Sequence, residues 1–359
     1  MHNYNSDNRN SSKKEDRKYR VLGHVVHAYV STAMPVSSKI VAEKMDGNVS
    51  SATVRNIMAE LEDEGYIEQP HTSAGRIPTH FGYRRYVDII KDHICLEKKE
   101  ARRLAAEYDK RIRTIREVIE KTSFLISHEL HNAGIVMWPS IEDFYLKHME
   151  LIKVRAETVL AVLVTMTNAV QNYIVRLDND LGKPELERIT NYVNTNYECL
   201  AFSRISDELK RTLRKARERE GQEVVDIARS ALSVIDAITE KNIENEIYWQ
   251  GLDYFMDEPE FRDINFTRRL LQMFSEGKDL IRLMKGELPY RGLKVYIGEE
   301  NDCEMLRGCS VITSGYALHD RTVGRIGVIG PTRMDYDHAL RTVGCLSDLI
   351  SSKLTEING

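Results

Sequence analysis

The 359-residue sequence has few cysteines, no long apolar run and no large excess of one charge. Its five cysteines are an odd number, lack CxxC spacing and follow no secretory signal, which argues against a disulfide framework and predicts a reduced, cytoplasmic protein. The longest apolar runs, such as residues 159–164, are far shorter than the roughly 20 residues that span a bilayer, so no membrane partner is expected. Lys and Arg number 51 against 55 Asp and Glu, so binding to nucleic acid would need a local patch.

Signatures of catalysis and metal binding are also missing. There is no nucleophile elbow, no P-loop and no paired acid and base, and the glycines of GVIGPT at 327–332 lack GxGxxG spacing. The HELH run at 128–131 places its two histidines at i and i+3, whereas a metalloprotease helix needs i and i+4. Cys303 and Cys309 could form a redox pair, although buried free thiols are the commoner state. We therefore expect no enzyme activity, no cofactor and no metal ion.

The N-terminal quarter has helical periodicity interrupted by turn residues. Residues 1–14 are rich in Asn and Ser and poor in aliphatic side chains, which predicts a disordered leader. Apolar residues then recur at helical spacing until Pro35, and a short second helix follows to about Met45. The Asp-Gly-Asn run at 46–48 predicts a turn before a third helix. We expect a first domain at residues 15–95.

The remainder of the chain mixes strands and helices. Residues 96–132 are highly charged with scattered Leu and Ile, which predicts one long connecting helix. Strands are predicted in TVLAVLVTM and QNYIVRL, and again in GLKVYIGEE, CSVITSGYA and VGRIGVIG, while a helix closes the chain from Asp335. A helical pattern between about residues 180 and 275 separates the two groups of strands, which favours a sheet interrupted by an insertion.

The third predicted helix has one apolar face and one polar face. The apolar stripe consists of Val54, Ile57, Met58 and Leu61. At 100° per residue the opposite face carries Ala52, Thr53, Arg55, Asn56 and Ala59. The small residues permit close approach, and Arg55 and Asn56 are of the types that read guanine and adenine edges in a major groove. Ser50 or Ser51 would cap the helix and leave amide donors for a phosphate.

A predicted β-hairpin follows this helix. Residues 66–69 are strand-like, residues 71–75 form a turn, and the chain returns before Pro78. The residues of this hairpin that suit phosphate contact are His71, Thr72, Ser73, Gly75 and Arg76. A fourth helix then carries Tyr83, Arg84, Arg85 and Tyr86. The first 95 residues hold 13 basic and 12 acidic side chains, but five of the acids lie at 60–68, so the remaining 13 basic against 7 acidic side chains favour one-sided docking on nucleic acid.

Three helices and a hairpin also occur in small protein-interaction domains, but these residues carry a more specific resemblance. Residues 49–88, with SSATVRN at the third helix and QPHTSAGRIPT at the hairpin, resemble the heat-inducible transcription repressor family of bacteria. IGEEN at 297–301 and GVIGPTRMDY at 327–336 extend the resemblance to the other end of the chain. The family's recognition-helix and wing residues map here onto Ser51, Thr53, Arg55, Asn56, Ser73, Gly75 and Arg76.

The resemblance implies an α+β multidomain fold, in which an N-terminal winged helix-turn-helix precedes a GAF-like α/β domain interrupted by an inserted dimerisation domain. The winged helix would occupy residues 15–95, the GAF-like domain 96–180 and 270–359, and the insertion 181–269. It also implies a cytoplasmic homodimer that binds an inverted-repeat operator in double-stranded DNA, represses chaperone operons, is released on heat stress and has the chaperonin as a partner. The expected DNA-binding residues are Ser51, Ala52, Thr53, Arg55, Asn56, His71, Thr72, Ser73, Gly75, Arg76, Arg84 and Arg85.

Two other functions stay open at this point. A GAF-like domain could hold a small-molecule effector, which would make the chain a ligand-sensing winged-helix regulator. A pure interaction scaffold would instead have no affinity for an operator.

Overall fold

The computed structural model of the chain combines helices with antiparallel sheets in a mixed α/β architecture. The residues described are 4–45, 49–71, 74–91, 98–108, 112, 114–139, 145–166, 170–219, 222–244, 247–254, 261, 263–286, 290–318 and 321–358. Within these ranges no helix is long and apolar enough to cross a membrane.

The N-terminal unit consists of three helices, a two-stranded hairpin and a fourth helix. Its elements are α1 (Tyr4–Thr32), α2 (Ser38–Lys44), α3 (Ser51–Asp63), β1 (Ile67–Glu68), β2 (Ile77–Pro78) and α4 (His80–Lys91). Ser37 and Ser50 cap α2 and α3, because each hydroxyl accepts a hydrogen bond from the backbone amide three residues on. Val25, Val54 and Leu61 are buried between the helices, so the predicted helices and apolar stripe are confirmed.

One expectation for this unit differs from the structure, and another falls outside the described residues. α1 begins at Tyr4, so the backbone before residue 15 is helical, whereas the sequence predicts a disordered leader there. No proline or glycine interrupts the chain between Tyr4 and Gly23, and extending an existing helix costs much less than nucleating a new one. The predicted turn at 46–48 lies outside the described residues.

Two helices follow where the sequence predicts one long connector, so that prediction is wrong. They are α5 (Lys98–Tyr108) and α6 (Ile115–Leu130). Thr114 starts α6 with a capping box, in which its hydroxyl accepts from the Glu117 amide and the Glu117 carboxylate accepts from the Thr114 amide. α5 and α6 pack against each other and against the last helix of the chain, so α6 is a core element.

A five-stranded antiparallel sheet forms the centre of the C-terminal unit. Its strands are β3 (Ala133–Met137), β7 (Ile247–Gln250), β8 (Lys294–Ile297), β9 (Cys309–Leu318) and β10 (Arg321–Pro331), in the order β7-β3-β10-β9-β8. The helices that cover it are α6, α10 (Ile264–Glu276), α11 (Lys278–Lys285) and α12 (Tyr336–Asn358). Val136 and Ile326 are buried on the α6 and α12 face, and Ile135 and Val311 on the opposite face. The C-terminal strands and the closing helix are therefore confirmed.

The chain between β3 and β7 folds as an inserted unit with a core of its own. Its elements are β4 (Leu146–Arg155), β5 (Thr158–Thr165), β6 (Val170–Arg176), α7 (Lys183–Tyr197), α8 (Phe202–Arg219) and α9 (Gln222–Glu244). The strands form a separate sheet in the order β4-β5-β6, which buries Ala161 and Val175 beneath the helices.

The extent of the inserted unit differs from the expected boundaries. The sequence predicts an insertion at 181–269 and assigns the preceding strands to the GAF-like domain. In the structure the separate core covers residues 146–238, and the chain returns to the five-stranded sheet at Ile247. An alternating pattern identifies a strand but not the sheet that it joins, since pairing depends on partners far along the chain.

Candidate nucleic-acid interface

α3 presents a polar outer face above a buried apolar stripe. The buried residues are Val54, Ile57, Met58 and Leu61. The exposed residues are Ala52, Thr53, Arg55, Asn56 and Ala59. Both predicted faces of the helix are therefore confirmed. Arg55 is exposed and has no ion pair within the part of the chain that the structure describes.

The N-terminus of α3 is held by four hydroxyl groups. Ser50 Oγ accepts from the Thr53 amide at 3.1 Å and lies 2.9 Å from the Thr53 hydroxyl. Ser51 Oγ lies 3.1 Å from Ser38 Oγ and so links α3 to α2. Amides of the first turn that Ser50 does not bind have no partner within a helix, which makes this end suited to an anion.

The hairpin is fastened by its backbone to the turn between α1 and α2. The Val36 amide donates to the Arg76 carbonyl at 2.8 Å, and the Arg76 amide donates to the Val36 carbonyl at 2.9 Å. Gly75 approaches this turn so closely that a Cβ there would lie 2.6 Å from the carbonyl carbon of Val36 and 2.8 Å from that of Pro35. The glycine therefore serves a contact within the protein.

The Arg76 side chain is paired with a carboxylate of α3. Its Nε donates to Glu62 Oε2 at 2.8 Å, and its Nη2 lies 2.8 Å from the same oxygen. Lys18 likewise donates to Glu64 at 2.8 Å. These ion pairs hold the hairpin and α1 against the C-terminal end of α3, and they neutralise part of the acidic cluster there. The sequence predicts a phosphate contact for Arg76 and does not predict this ion pair.

Arg84 and Arg85, both expected to bind DNA, lie in contacts with other parts of the protein, and their binding to DNA stays a prediction. Arg84 Nε donates to Glu300 Oε1 at 2.7 Å, and Nη2 donates to the Val295 carbonyl at 2.8 Å. The Arg85 guanidinium lies over the Tyr19 ring, 4.1 Å from its centroid. An arginine on a helix has the same periodicity whether its partner is a phosphate, a carboxylate or a ring, so the sequence pattern could not distinguish them.

The hairpin tip is described in part. His71 is exposed, and its carbonyl accepts from the Ala74 amide at 2.8 Å, which closes a turn. Gln69 Nε2 donates to the Ala74 carbonyl at 3.0 Å from the base of the same turn. Thr72 and Ser73, both predicted to contact phosphate, lie outside the described residues.

The structure also places the other residues that the sequence offers as candidates for metal or redox chemistry. Within the described ranges no three or more His, Cys, Asp and Glu side chains are arranged to hold a metal ion. His128 of the HELH run stacks on the Phe124 ring with centroids 5.4 Å apart. Cys303 and Cys309 are free thiols, and burial raises the pKa of Cys309 to about 12.

Comparison with known proteins identifies the family. A family model described as the HrcA protein C terminal domain matches residues 116–340. The heat-inducible transcription repressor HrcA of Syntrophobacter fumaroxidans is 34% identical over 95% of this chain and 97% of its own length. The chain belongs to the HrcA family of heat-inducible transcription repressors. The repressor of the same name from Brevibacillus brevis is 33% identical over 95% of this chain and 98% of its own.

One solved structure supports the fold. The crystal structure of a hypothetical protein at 2.2 Å resolution covers 95% of this chain and 99% of its own, with a TM-score of 0.64 and 23% identity. The family resemblance drawn from residues 49–88, 297–301 and 327–336 is confirmed, and the relatives are named as heat-inducible transcription repressors.

Proposed function

We propose that the chain is a homodimeric repressor of chaperone operons that binds an inverted-repeat operator in double-stranded DNA and is released on heat stress. The N-terminal unit would be a winged helix-turn-helix, the unit around the five-stranded sheet a GAF-like domain, and the inserted unit the dimerisation domain. The observation that carries the proposal is the outer face of α3. There Arg55 and Asn56 are exposed between the small side chains of Ala52 and Ala59, above a buried stripe.

The chemistry of this face suits a major groove. The two alanines let the helix backbone approach the bases, while Arg55 matches the O6 and N7 acceptors of guanine and Asn56 matches the N6 and N7 atoms of adenine. The capped N-terminus offers amide donors to a phosphate. The hairpin, held at Val36, would place the exposed His71 beside the flanking backbone. The acidic end of α3 repels DNA, so only the N-terminal half of the helix faces it.

Operator binding by Arg55→Ala and Asn56→Ala tests this assignment. Each variant is expected to lose about 1–3 kcal/mol per bidentate contact, roughly 5- to 150-fold in Kd, on the operator and much less on random DNA. Lys91→Ala removes an exposed charge at the end of α4 and serves as the matched control. Equal losses on operator and random DNA would contradict base reading, and full affinity in both variants would exclude α3 as the recognition helix.

The outer face of the inserted sheet supports the homodimer. Leu160, Val162 and Val164 of β5 alternate with the buried residues and lie half-exposed on this face. Their exposed apolar cross-strand neighbours are Ile152 (47%), Val170 (58%) and Ile174 (61%), and the exposed polar neighbours on the same face are His148, Glu150 and Asn172. An antiparallel sheet that faces water normally carries polar residues there, so an outer face on which Leu, Val and Ile outnumber the polar residues favours an interface. A second copy suits it, because an inverted repeat mirrors a two-fold axis that brings the same patch of both copies together.

Charge placed on this sheet face tests the dimer. Ile174→Glu is expected to be monomeric by sedimentation and to bind the operator weakly, since burying an unpaired carboxylate opposes association. Lys210→Glu, on the exposed side of α8, makes a larger change of charge in the same direction outside the face and is expected to remain dimeric. A dimeric Ile174→Glu protein would exclude the face as the interface.

The chaperonin partner and the release by heat come from the family resemblance and have a test of their own. Operator binding is measured after a brief heat pulse, with and without chaperonin and ATP. If the chaperonin refolds an opened state, its free concentration sets the active fraction of repressor by mass action. Binding is then lost after the pulse and restored by the chaperonin. If the chaperonin never restores it, an effector in the GAF-like domain becomes the better account.

A further inference from the structure

Two motifs that the DNA-binding proposal does not use converge on the N-terminal unit. IGEEN supplies Gly298 and Glu300, and TRMDY supplies Arg333 and Tyr336. These four residues contact α4 or the end of α1, and we call them the docking cluster. Two segments of the C-terminal unit thus contact the N-terminal unit at α4 and at the end of α1.

An ion pair with two-point geometry lies at the centre of the docking cluster. Arg84 donates from Nε to Glu300 Oε1 at 2.7 Å and from Nη2 to the other carboxylate oxygen, while Nη2 also binds the Val295 carbonyl at 2.8 Å. Glu300 accepts in addition from the Ile297 amide at 2.9 Å. Burial opposes ionisation of Glu300, but the hydrogen bonds from Arg84 and Ile297 outweigh it, so the pKa of this carboxyl lies below its usual range. A bidentate pair of this kind fixes the relative orientation of the guanidinium and the carboxylate as well as the distance between them.

Gly298 lets the two units touch directly. Its φ is +56°, and a Cβ at this position would collide with the imidazole of His80 on α4. The turn that contains it is held from the other side by buried Asn301, whose Nδ2 lies within hydrogen-bond distance of the carbonyls of Gly298, Leu306 and Cys309, at 2.8, 3.0 and 3.1 Å. The C-terminal unit therefore shapes the turn itself and presents it ready to receive α4.

The second motif adds two contacts of a different kind. Arg333 Nη1 donates to the Val30 carbonyl in the last turn of α1 at 2.9 Å, a position where a cation is favoured by the helix dipole. The Tyr336 ring packs on Tyr83 of α4, with centroids 5.6 Å apart, and its hydroxyl lies 2.6 Å from that of Ser310. Both α1 and α4 are thus anchored to the same unit.

Docking leaves the DNA-reading face open. Arg84 and Tyr83 contact the docking cluster, whereas Arg55 and Asn56 of α3 are exposed. The docking cluster therefore orients the N-terminal unit without covering the outer face of α3. We propose that the docking cluster positions α3 relative to the dimer axis and thereby selects the half-site spacing that the repressor accepts. This inference rests on the proposed function, because spacing has meaning only for a dimer on an inverted repeat. A rigidly held pair of recognition helices fits one spacing, whereas a loosely tethered pair tolerates several at lower affinity.

Glu300→Gln in the full-length chain tests the positioning role, since it removes the charge and keeps the size. Kd is measured on operators whose half-sites are moved apart in single base-pair steps over one helical turn, about 10 bp. The wild-type protein is expected to prefer one spacing by roughly a hundredfold. The variant is expected to bind that spacing about tenfold more weakly and to prefer it by less than about tenfold. Arg84→Glu combined with Glu300→Arg is expected to restore part of the preference.

Asp88→Asn is the matched control for this experiment. Asp88 lies 3.5 Å from Arg84 on the same helix, so its loss affects the same guanidinium without touching the C-terminal unit, and the wild-type spacing preference is expected to remain. Hydrogen exchange of α4 without DNA gives an independent readout, in which Glu300→Gln exchanges faster and Asp88→Asn does not.

The outcomes separate the two proposals. If the wild-type protein binds an operator and Glu300→Gln keeps its spacing preference, the positioning role is overturned and the repressor function stands. If the wild-type protein binds no operator, the repressor function fails, and unchanged hydrogen exchange in Glu300→Gln overturns the docking as well.

Discussion

Replacing Gly75 by alanine tests how the hairpin is held beside α3. The added Cβ would lie 2.6 Å from the carbonyl carbon of Val36 and 2.8 Å from that of Pro35. Both are backbone atoms, so neither can rotate away and the hairpin itself must shift. That shift breaks the two hydrogen bonds exchanged between Val36 and Arg76, at 2.8 and 2.9 Å.

The size of the effect follows from these two hydrogen bonds. At a net of about 0.5–1.5 kcal/mol each, their loss destabilises the fastened hairpin by about 1–3 kcal/mol. Gly23 offers a control in the same unit at which the same substitution is expected to raise stability. A Cβ there contacts only the Tyr86 ring, at an ordinary van der Waals distance of 3.6 Å. Gly23→Ala lies within α1 and is expected to stabilise the unit by about 0.5–1 kcal/mol through helix propensity.

Hydrogen exchange followed by mass spectrometry measures the opening directly. In Gly75→Ala the amides of Val36 and Arg76 are expected to exchange roughly 5- to 150-fold faster than in the wild-type protein, and operator affinity is expected to fall with them. Gly23→Ala is expected to leave both amides protected. Unchanged protection in Gly75→Ala, or equal loss in Gly23→Ala, would show that close packing at Gly75 does not hold the hairpin.

Three further predictions concern charge, thiols and packing. Because the pKa of Glu300 is lowered in the folded chain, its stabilising effect is present above the usual value of 4.5 and is lost as the pH falls through the lowered value, so the difference in urea stability between wild type and Glu300→Gln is expected to vanish in acid. Iodoacetamide is expected to modify exposed Cys199 at neutral pH and to spare Cys309, whose pKa burial raises to about 12; equal labelling of both would contradict this. Leu61→Ala, at a fully buried position of α3, is expected to cost about 2–5 kcal/mol in urea unfolding, and a loss below about 1 kcal/mol would contradict the packing.

The faces of α3 were predictable because they depend on local periodicity. Val54 and Leu61 follow helical spacing in the sequence and are buried together, and the cap at Ser50 needs only a residue and its neighbours. The same is true of the C-terminal strands and α12. These features require no knowledge of which distant segment packs on them.

The partners of charged residues were not predictable, because they come from distant segments. Glu62 lies 14 residues from Arg76, and Glu300 lies 216 residues from Arg84. Nothing in the pattern of α4 distinguishes a carboxylate partner from a phosphate. β5 and β6 were predicted as strands but assigned to the GAF-like domain for the same reason, since β5 has the pattern of a strand whichever sheet it joins.

Physical continuity between the units suggests how heat could act without unfolding α3. One buried core includes Val25 and Val87 of the N-terminal unit together with Ile326 and Leu340 of the C-terminal unit, whereas the inserted unit has a separate core. Strain or partial opening in the C-terminal unit therefore reaches the docking cluster directly, while the dimer interface proposed on the inserted unit would stay intact. A dimer whose recognition helices lose their fixed separation binds each half-site singly, and the gain from binding both at once disappears. Repression would then end through loss of geometry, before the base-reading side chains of α3 lose their own support.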